Sequence, residues 1–184
     1  MSYKTKLKNI KAFVFDVDGV FTDGSVYLMP GGHMSRVMNV LDGYAVVKAI
    51  KSGYKIGVIT GGDDPMVRHR INYLGITDYY PKSPDKLVDF EDFKSKNNLK
   101  NEEILMMGDD LPDISVMRQV EIAACPINAV PEVKAISDYI SPIHGGKGAV
   151  RDVIEQVMKI HGKWIEDNTC LLYTSDAADE EDSV

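Results

Sequence analysis

Short apolar runs that end in acidic, threonine or glycine residues recur along this chain and constrain its fold more than any other feature. The runs "FVF", "KIGVI" and "EILMM" are followed by "DVDG", "TGG" and "GDD". Runs of this length and composition are typical of strands that are buried on both faces of a parallel sheet. The segments between them have apolar residues at helical spacing and often stop at glycine. These patterns predict an α/β fold with a doubly wound parallel sheet.

The predicted elements leave no room for a linker or an internal repeat. Two alternating runs flank Pro30-Gly31-Gly32 and predict a β-hairpin flap over about residues 24–39. Asp63 or Asp64 is the predicted cap of a helix that has Pro65 in its first turn. Later strands are predicted at about 103–107, 121–125 and 138–141, with helices at about 111–120, 131–137 and after the glycines at 145–148. Residues 1–168 are therefore expected to form a single domain.

Composition excludes several classes of protein. Apolar residues make up 44% of the chain, which is enough for a core, but no apolar run approaches the roughly 18 residues that cross a bilayer. The start, "MSYKTKLKNIKAF", lacks the apolar stretch of a secretory signal. Cys125 and Cys170 match neither a metal-site spacing nor a disulfide framework. We expect a cytoplasmic protein with no membrane partner.

The net charge of −7 arises mainly at the C-terminus. Residues 175–183 hold five acids and no bases, and without them 21 bases face 23 acids. The rest of the chain has no basic stripe, so nucleic acid is not an expected partner. The segment 169–184 has no hydrophobic periodicity, and the change of character after Trp164 predicts a disordered tail or a read-through or assembly artefact.

Polar residues follow the predicted strands at their carboxyl ends, where open parallel sheets bind ligands. Four features lie there or just inside a following helix: Asp16 with Asp18, Thr60, Lys86, and Asp109 with Asp110. Each alone has an ordinary explanation as a turn, a helix cap or a solvated lysine. Their coincidence at one edge of a sheet indicates a functional site.

The residue types at this edge suit phosphoryl transfer. Asp16 and Asp109 supply the hard oxygens that Mg²⁺ prefers, and the ion would offset the repulsion between neighbouring acids. Asp16 could attack phosphorus to form an aspartyl-phosphate, while Asp18 could protonate the leaving oxygen and later activate water. Thr60, Lys86 and nearby backbone amides would hold the phosphoryl oxygens. The glycines beside these groups are Gly19, Gly61 and Gly62.

Four motifs, "DVDGVFTDG", "ITGG", "DK" and "GDDLPD", resemble those of the haloacid dehalogenase superfamily and occur in the family order. The resemblance implies that Asp16 is the nucleophile and Asp18 the acid/base. It also implies that Thr60 and Lys86 contact the phosphoryl group and that Asp109 binds the metal.

The same resemblance extends the set of metal-site residues. It implies that the metal is held by Asp16, Asp109 and the backbone carbonyl of Asp18. Asp110 and Asp113 are expected to keep these ligands in place.

A closer resemblance covers about residues 5–165 and is to the capless 3-deoxy-D-manno-octulosonate 8-phosphate phosphatases. It is carried by "DGVFTDG", the hairpin, "LDGYAV" and "GGKGAVRDVIEQVM". It implies a role in lipopolysaccharide precursor synthesis and a homotetramer in which hairpins and C-terminal segments help to close neighbouring sites. It also implies that the glycine loop 145–148 is mobile and touches the substrate, with Lys147 and Arg151 as contacts.

Two departures leave the substrate open. Leu41 and Gly62 stand where these phosphatases commonly have arginines, which would be expected to bind the sugar acid. The residues that could replace them are Arg36, Arg68, Arg70, Lys147 and Arg151. A sialic-acid-type 9-phosphate phosphatase is the nearest alternative.

Two other classes remain as alternatives. A phosphorelay receiver domain also combines acids, Thr, Lys and Mg²⁺, but its lysine comes last, whereas Lys86 precedes the pair Asp109-Asp110. A catalytically silent binding module is disfavoured because both Asp16 and Asp18 are present.

Overall fold

The structure is a computed structural model that describes residues 3–32 and 34–165. The predicted tail at 169–184 lies outside the described residues. Within the described part of the chain, no helix combines the length and apolar character needed to span a membrane.

Strands and helices alternate along most of the chain. The strands are β1 Ala12–Phe15, β2 Tyr27–Leu28, β3 Met34–Ser35, β4 Lys55–Ile59, β5 Asp78–Tyr80, β6 Ile104–Met107, β7 Ile122–Cys125 and β8 Tyr139–Ile140. The helices are α1 Tyr3–Lys6, α2 Val40–Lys51, α3 Pro65–Tyr73, α4 Lys86–Lys96, α5 Ile114–Met117, α6 Pro131–Ile136 and α7 Ala149–Ile160.

Six of these strands form one sheet in the order β5-β4-β1-β6-β7-β8, and every neighbouring pair is parallel. Phe15, at the end of the central strand β1, lies beside Val58 of β4 and Met107 of β6. The carboxyl ends of these three strands therefore meet at one edge, and the predicted doubly wound parallel sheet is confirmed.

Helices cover both faces of the sheet because successive side chains of each strand point to opposite sides. Phe13 and Phe15 pack on the face covered by α2, α3 and α7, whereas Ala12 and Val14 pack on the face covered by α4, α5 and α6. All four β1 residues are fully buried. Burial of one large apolar side chain contributes about 1.5–3 kcal/mol, so these two layers stabilise the sheet that carries the site.

Between β1 and β4 the described chain holds a kinked helical turn at Val17–Phe21, the hairpin and α2. The strands of the hairpin pair Tyr27 with Ser35 and Leu28 with Met34, around a turn at Pro30–Gly32. The predicted hairpin is confirmed, and the segment holds no cap domain among its described residues.

Element boundaries differ from the sequence prediction in two places. Strand β5 was not predicted, because three residues are too few to show an alternating pattern. The helix predicted at 111–120 is a 3₁₀ turn at Leu111–Asp113 followed by the short α5. The cap of α3 is Asp64, whose side chain accepts hydrogen bonds from the N–H groups of Met66 and Val67.

Candidate active site

The predicted polar residues surround a cleft of about 600 Å³ at the carboxyl edge of β4, β1 and β6. Its lining includes Asp16, Asp18, Thr60, Gly61, Gly62, Ser83, Lys86, Asp109, Asp110 and Asp113. A larger groove of about 860 Å³ lies at the other edge of the sheet, around Tyr54 and His161. The charged groups of that groove are mostly exposed lysines, whereas the cleft contains clustered acids.

Asp16 lies at the centre of the edge, directly after β1. Its N–H donates to the carbonyl of Met107, 3.2 Å away, which ties it to β6. The residue is 7% exposed, and its Oδ1 lies 2.9 Å from Lys86 Nζ. Burial and the nearby Asp113 carboxylate raise the pKa of Asp16 to about 7, although Lys86 opposes this effect.

Lys86 connects the two sides of the cleft. It opens helix α4, whose cap Asp85 accepts a hydrogen bond from Leu87 N. Its Nζ donates to Asp113 Oδ1 at 2.7 Å as well as facing Asp16. A lysine that is 8% exposed is stable only when paired, and these two carboxylates provide the partners.

Asp113 holds the turn that presents Asp109. Its Oδ2 accepts hydrogen bonds from the backbone N–H groups of Asp109, at 2.9 Å, and Asp110, at 3.3 Å. It is 1% exposed. Asp113 therefore fixes both the lysine and the backbone beside it.

Three carboxylates come together next to this lysine. Asp16, Asp109 and Asp113 each offer an oxygen, and these oxygens lie within 4.8 Å of one another. Asp109 Oδ1 is buried and has no hydrogen-bond partner among the described residues. Burial and the charges of Asp16 and Asp113 raise the pKa of Asp109 to about 7. An unpartnered carboxylate oxygen in an all-oxygen cluster fits a hard divalent cation such as Mg²⁺.

Gly19 allows the chain to pass this cluster closely. A Cβ built on Gly19 would lie 1.9 Å from Asp109 Oδ2, and its φ of +87° also favours glycine. No larger residue fits here without moving Asp109.

The carboxylate of Asp18 lies apart from this cluster. Its Oδ1 is 2.7 Å from Arg36 Nε and its Oδ2 is 3.1 Å from an Arg36 terminal nitrogen. Sequence reasoning named Arg36 only as a possible substrate contact, and nothing in the spacing of 18 residues indicated this pairing.

Thr60 closes the other side of the cleft. Its N–H donates to Tyr80 O at 3.0 Å, and its carbonyl accepts from Ser83 N at 3.0 Å. Thr60 Oγ1 accepts a hydrogen bond from Gly62 N at 3.2 Å, so the hydroxyl proton is left to donate. Ser83 Oγ is buried without a partner among the described residues. Sequence reasoning missed Ser83 because a serine before proline is an ordinary loop residue.

The glycine loop packs against the chain that follows Asp16. A Cβ on Gly145 would lie 1.7 Å from Gly19 O, and Gly146 N donates to Val20 O at 2.9 Å. Asn128, which was not predicted, bridges the two segments by accepting from Gly145 N and donating to Gly19 O.

Lys147 and Arg151 do not line the cleft in the described chain. Lys147 Nζ lies 3.5 Å from Asp23 Oδ2, outside the acid cluster. Arg151 lies over the rings of Tyr44 and Trp164, at 5.9 and 5.2 Å from their centroids. Both side chains therefore face surfaces beside the cleft rather than its interior.

The other candidate replacements for the missing arginines are also accounted for. Arg68 pairs with Asp63 at 2.6 Å, and Arg70 lies over the ring of Tyr73. Leu41 is 49% exposed on α2. Of the five candidate cations, Arg36 alone bonds to a predicted catalytic carboxylate in the described contacts.

Comparisons with known proteins agree with this geometry. A family model described as haloacid dehalogenase-like hydrolase matches residues 66–154. The chain is 36% identical over 159 residues to the 3-deoxy-D-manno-octulosonate 8-phosphate phosphatase of Salmonella typhi, a match that covers 86% of this chain and 85% of the relative.

Solved structures extend the similarity to the fold. The octulosonate phosphatase from Yersinia pestis superposes with a TM-score of 0.85 at 34% identity, covering 88% of this chain and 87% of that one. The octulosonate phosphatase from Moraxella catarrhalis was solved in complex with magnesium ion, phosphate ion and a KDO molecule. It superposes with a TM-score of 0.84 at 32% identity, and the match covers 88% of this chain and 92% of that one. The chain therefore belongs to the haloacid dehalogenase-like hydrolase family, in the group that includes these octulosonate phosphatases.

Proposed function

We propose that this protein is a Mg²⁺-dependent phosphomonoesterase that releases phosphate from 3-deoxy-D-manno-octulosonate 8-phosphate, a step in lipopolysaccharide precursor synthesis. The observation that carries the proposal is the buried lysine, Lys86, that bridges Asp16 and Asp113 beside the unpartnered Asp109 oxygen. The similarity to the Moraxella catarrhalis enzyme, whose structure contains magnesium, phosphate and KDO, supports the substrate.

Asp16 is the proposed nucleophile. Its carboxylate oxygen attacks phosphorus, and the bond between phosphorus and the sugar oxygen breaks. Asp18 donates a proton to that leaving oxygen, so the free sugar acid departs as a neutral hydroxyl and Asp16 is left as an acyl phosphate.

Water completes the reaction. Its oxygen attacks the phosphorus of phosphorylated Asp16 while Asp18 takes its proton, and the bond between phosphorus and Asp16 breaks. Inorganic phosphate leaves and both aspartates regain their starting forms. This order requires Asp18 to act first as acid and then as base.

Groups around Asp16 hold the transferred phosphoryl oxygens. Lys86 supplies a fixed positive charge, Thr60 donates its free hydroxyl proton, and the N–H of Gly61, which lines the cleft, is the proposed third donor. Such preorganised donors are worth several kcal/mol at a developing charge. Gly62 acts indirectly, since its N–H holds Thr60 Oγ1.

The proposed metal ligands are Asp16, Asp109 and the backbone carbonyl of Asp18. Mg²⁺, when bound, supplies positive charge that offsets the repulsion among these acids and the phosphoryl group. Asp113, with Asp110 beside it, fixes the backbone that carries Asp109.

The eight-carbon sugar acid is preferred over a nine-carbon sialic-acid-type substrate because the relatives reported above act on the former by name. Leu41 and Gly62 leave the carboxylate of the sugar without the two expected arginines. Lys147 and Arg151 remain the proposed contacts, reaching the sugar from the rim of the cleft or from a neighbouring copy.

A homotetramer in the cytoplasm is also proposed, with residues 1–168 as one domain. The hairpin exposes apolar side chains, including Tyr27 at 59% and Leu28 at 80%, and such a patch is typical of an interface. Cys125 is a free, buried thiol, which suits a reducing compartment. Sedimentation at several protein concentrations would measure the assembly, and a monomer throughout would contradict it.

Phosphate release from a panel of sugar-acid phosphates tests the function. We expect the highest kcat/KM with the eight-carbon acid in Mg²⁺ and no turnover in excess chelator.

Asp16→Asn should lower turnover at least about 10³-fold, because the amide is not a nucleophile. Higher kcat/KM with the nine-carbon acid would overturn the substrate, and wild-type rates in the Asn variant would overturn the mechanism.

A further inference from the structure

The residue directly after the hairpin, Arg36, lies beside the catalytic cleft and contacts it through Asp18. Every described residue from 23 to 35 is exposed, whereas Arg36, directly after β3, has a side chain that is only 10% exposed. Its guanidinium donates to Asp18, and Arg36 lines a small cavity together with Asp18, Thr60 and Gly62. The base of the hairpin therefore supports Asp18, a residue of the cleft lining, from the side.

The contacts of Arg36 fix the plane of the Asp18 carboxylate. Two of its nitrogens donate to the two oxygens of Asp18, at 2.7 and 3.1 Å. A third nitrogen donates to Asp64 Oδ2 at 3.1 Å. Asp64 is itself held in place because its Oδ1 caps helix α3. The guanidinium is thus anchored to a helix start while its fork grips the carboxylate.

Geometry limits what else could hold Asp18. Thr22 Oγ1 lies 3.4 Å from Asp18 Oδ1, which is a long contact. Lys86, the other buried cation, faces Asp16 and Asp113 instead. The orientation of Asp18 within the described structure thus depends mainly on Arg36.

We propose that Arg36 is a positioning residue that aims the Asp18 carboxylate at the leaving oxygen and so makes proton transfer depend on the seated hairpin. This inference rests on the proposed phosphatase function. A proton donor must lie within hydrogen-bond reach of the oxygen that it serves, and small misplacement is costly in rate. Arg36 has this effect through Asp18, without touching the reacting atoms. Each Asp18 oxygen keeps a second lone pair outside the guanidinium fork, and the transferred proton is carried there.

Direct binding of the sugar carboxylate is the competing role for Arg36. Its fork is already engaged by Asp18 and Asp64 and its side chain is nearly buried, so a substrate carboxylate would have to displace these partners. The two roles differ in which substrates they affect, because aryl phosphates carry no such carboxylate.

The test measures how rate depends on the leaving group. kcat/KM is determined for p-nitrophenyl phosphate, phenyl phosphate and the octulosonate 8-phosphate, in Mg²⁺, with wild type, Arg36→Met and Arg36→Lys. Arg68→Met is the matched control, since Arg68 pairs with Asp63 rather than with Asp18. kcat/KM reports the first phosphoryl transfer. In that step p-nitrophenolate can leave without being protonated. Phenolate depends more on protonation, and the sugar alkoxide depends on it most.

We expect Arg36→Met to lose about tenfold more kcat/KM on phenyl phosphate than on p-nitrophenyl phosphate, with a larger loss on the sugar phosphate. Arg36→Lys keeps the positive charge but not the two-pronged guanidinium, so its loss of kcat/KM should lie between those of wild type and Arg36→Met. Arg68→Met should have the kcat/KM values of wild type. Equal losses on both aryl phosphates, or a loss confined to the sugar phosphate, would overturn the inference.

Two controls keep the result interpretable. Should Arg36→Met fail to fold by circular dichroism, the comparison of Arg36→Lys with wild type decides, and an unchanged leaving-group dependence contradicts the proposal. A folded wild type that is inactive on all three substrates would instead overturn the proposed function, and the inference with it.

Discussion

At the scale of single residues, the site depends on close approach as much as on charge. Gly19 lies where a Cβ would overlap the Asp109 carboxylate, and Gly145 packs equally closely against Gly19 O. Asp16 and Asp109 have raised pKa values because burial and neighbouring acids disfavour their ionised forms. Asp16 and Asp109, the proposed nucleophile and metal ligand, are thus held as mutually repelling acids, and a bound cation would offset that repulsion.

Gly19→Ala tests this close approach. We expect the substitution to lower kcat/KM about 100-fold, because Asp109 must move by an ångström or more. It should also lower the free energy of unfolding by about 1–3 kcal/mol, measured by urea denaturation. Gly32→Ala is the control, since Gly32 shares the positive φ of +80° but has no atoms within 4 Å of a built Cβ. Wild-type activity in Gly19→Ala would contradict the packing described.

At the scale of elements, helices α2 and α7 are joined by a buried acid. Asp42 of α2 is fully buried, and its Oδ1 accepts a hydrogen bond from Arg151 N in the first turn of α7 at 2.8 Å. Asp42 Oδ2 is buried with no partner among the described residues. Burial raises the pKa of Asp42 to about 6, although the hydrogen bonds to α7 oppose the shift.

Asp42 should therefore make stability depend on pH. Its pKa is higher in the folded state than the ordinary value of 3.8, so its contribution is fully present below about pH 4. That contribution is lost as pH rises through about 6. At higher pH, Asp42 no longer makes the free energy of unfolding depend on pH. Relative to Asp42→Asn, the wild type should lose up to about 3 kcal/mol of unfolding free energy between pH 4 and 6, measured by urea denaturation. Parallel profiles for the two proteins would show that Asp42 does not titrate in this range.

At the scale of the whole molecule, the parallel sheet places the acids that follow β1 and β6 at one edge, and Lys86 compensates only part of their repulsion. Mg²⁺ binds only the folded arrangement, so it should stabilise the protein as well as activate it. At about 100-fold excess over the dissociation constant the gain is about 2.7 kcal/mol, which corresponds to a Tm increase of roughly 5–10 °C.

Asp109→Asn provides the matched variant for this effect. In chelator it should melt above the wild type, because one repelling charge is gone, and addition of Mg²⁺ should leave its Tm nearly unchanged. Differential scanning calorimetry measures both proteins. A Mg²⁺ shift of the same size in the variant would remove Asp109 from the proposed ligands.

The class of fold and the positions where chemistry was expected follow from local patterns in the amino-acid sequence. Apolar runs and the residues that end them are local features, so the parallel sheet, the hairpin and a helix cap at Asp63 or Asp64 were predictable. Strand β5 was not, because three residues carry too little pattern. The family resemblance was confirmed by the comparisons.

The directions of the side chains became known from the three-dimensional arrangement alone. It turned Asp18 toward Arg36, placed the Asp113 carboxylate beside Asp16 and Asp109, and set Arg151 over two aromatic rings outside the cleft. Most of these contacts join residues that are far apart in the chain. Side-chain direction follows from such long-range packing and charge pairing, which the spacing of residue types along a sequence does not encode.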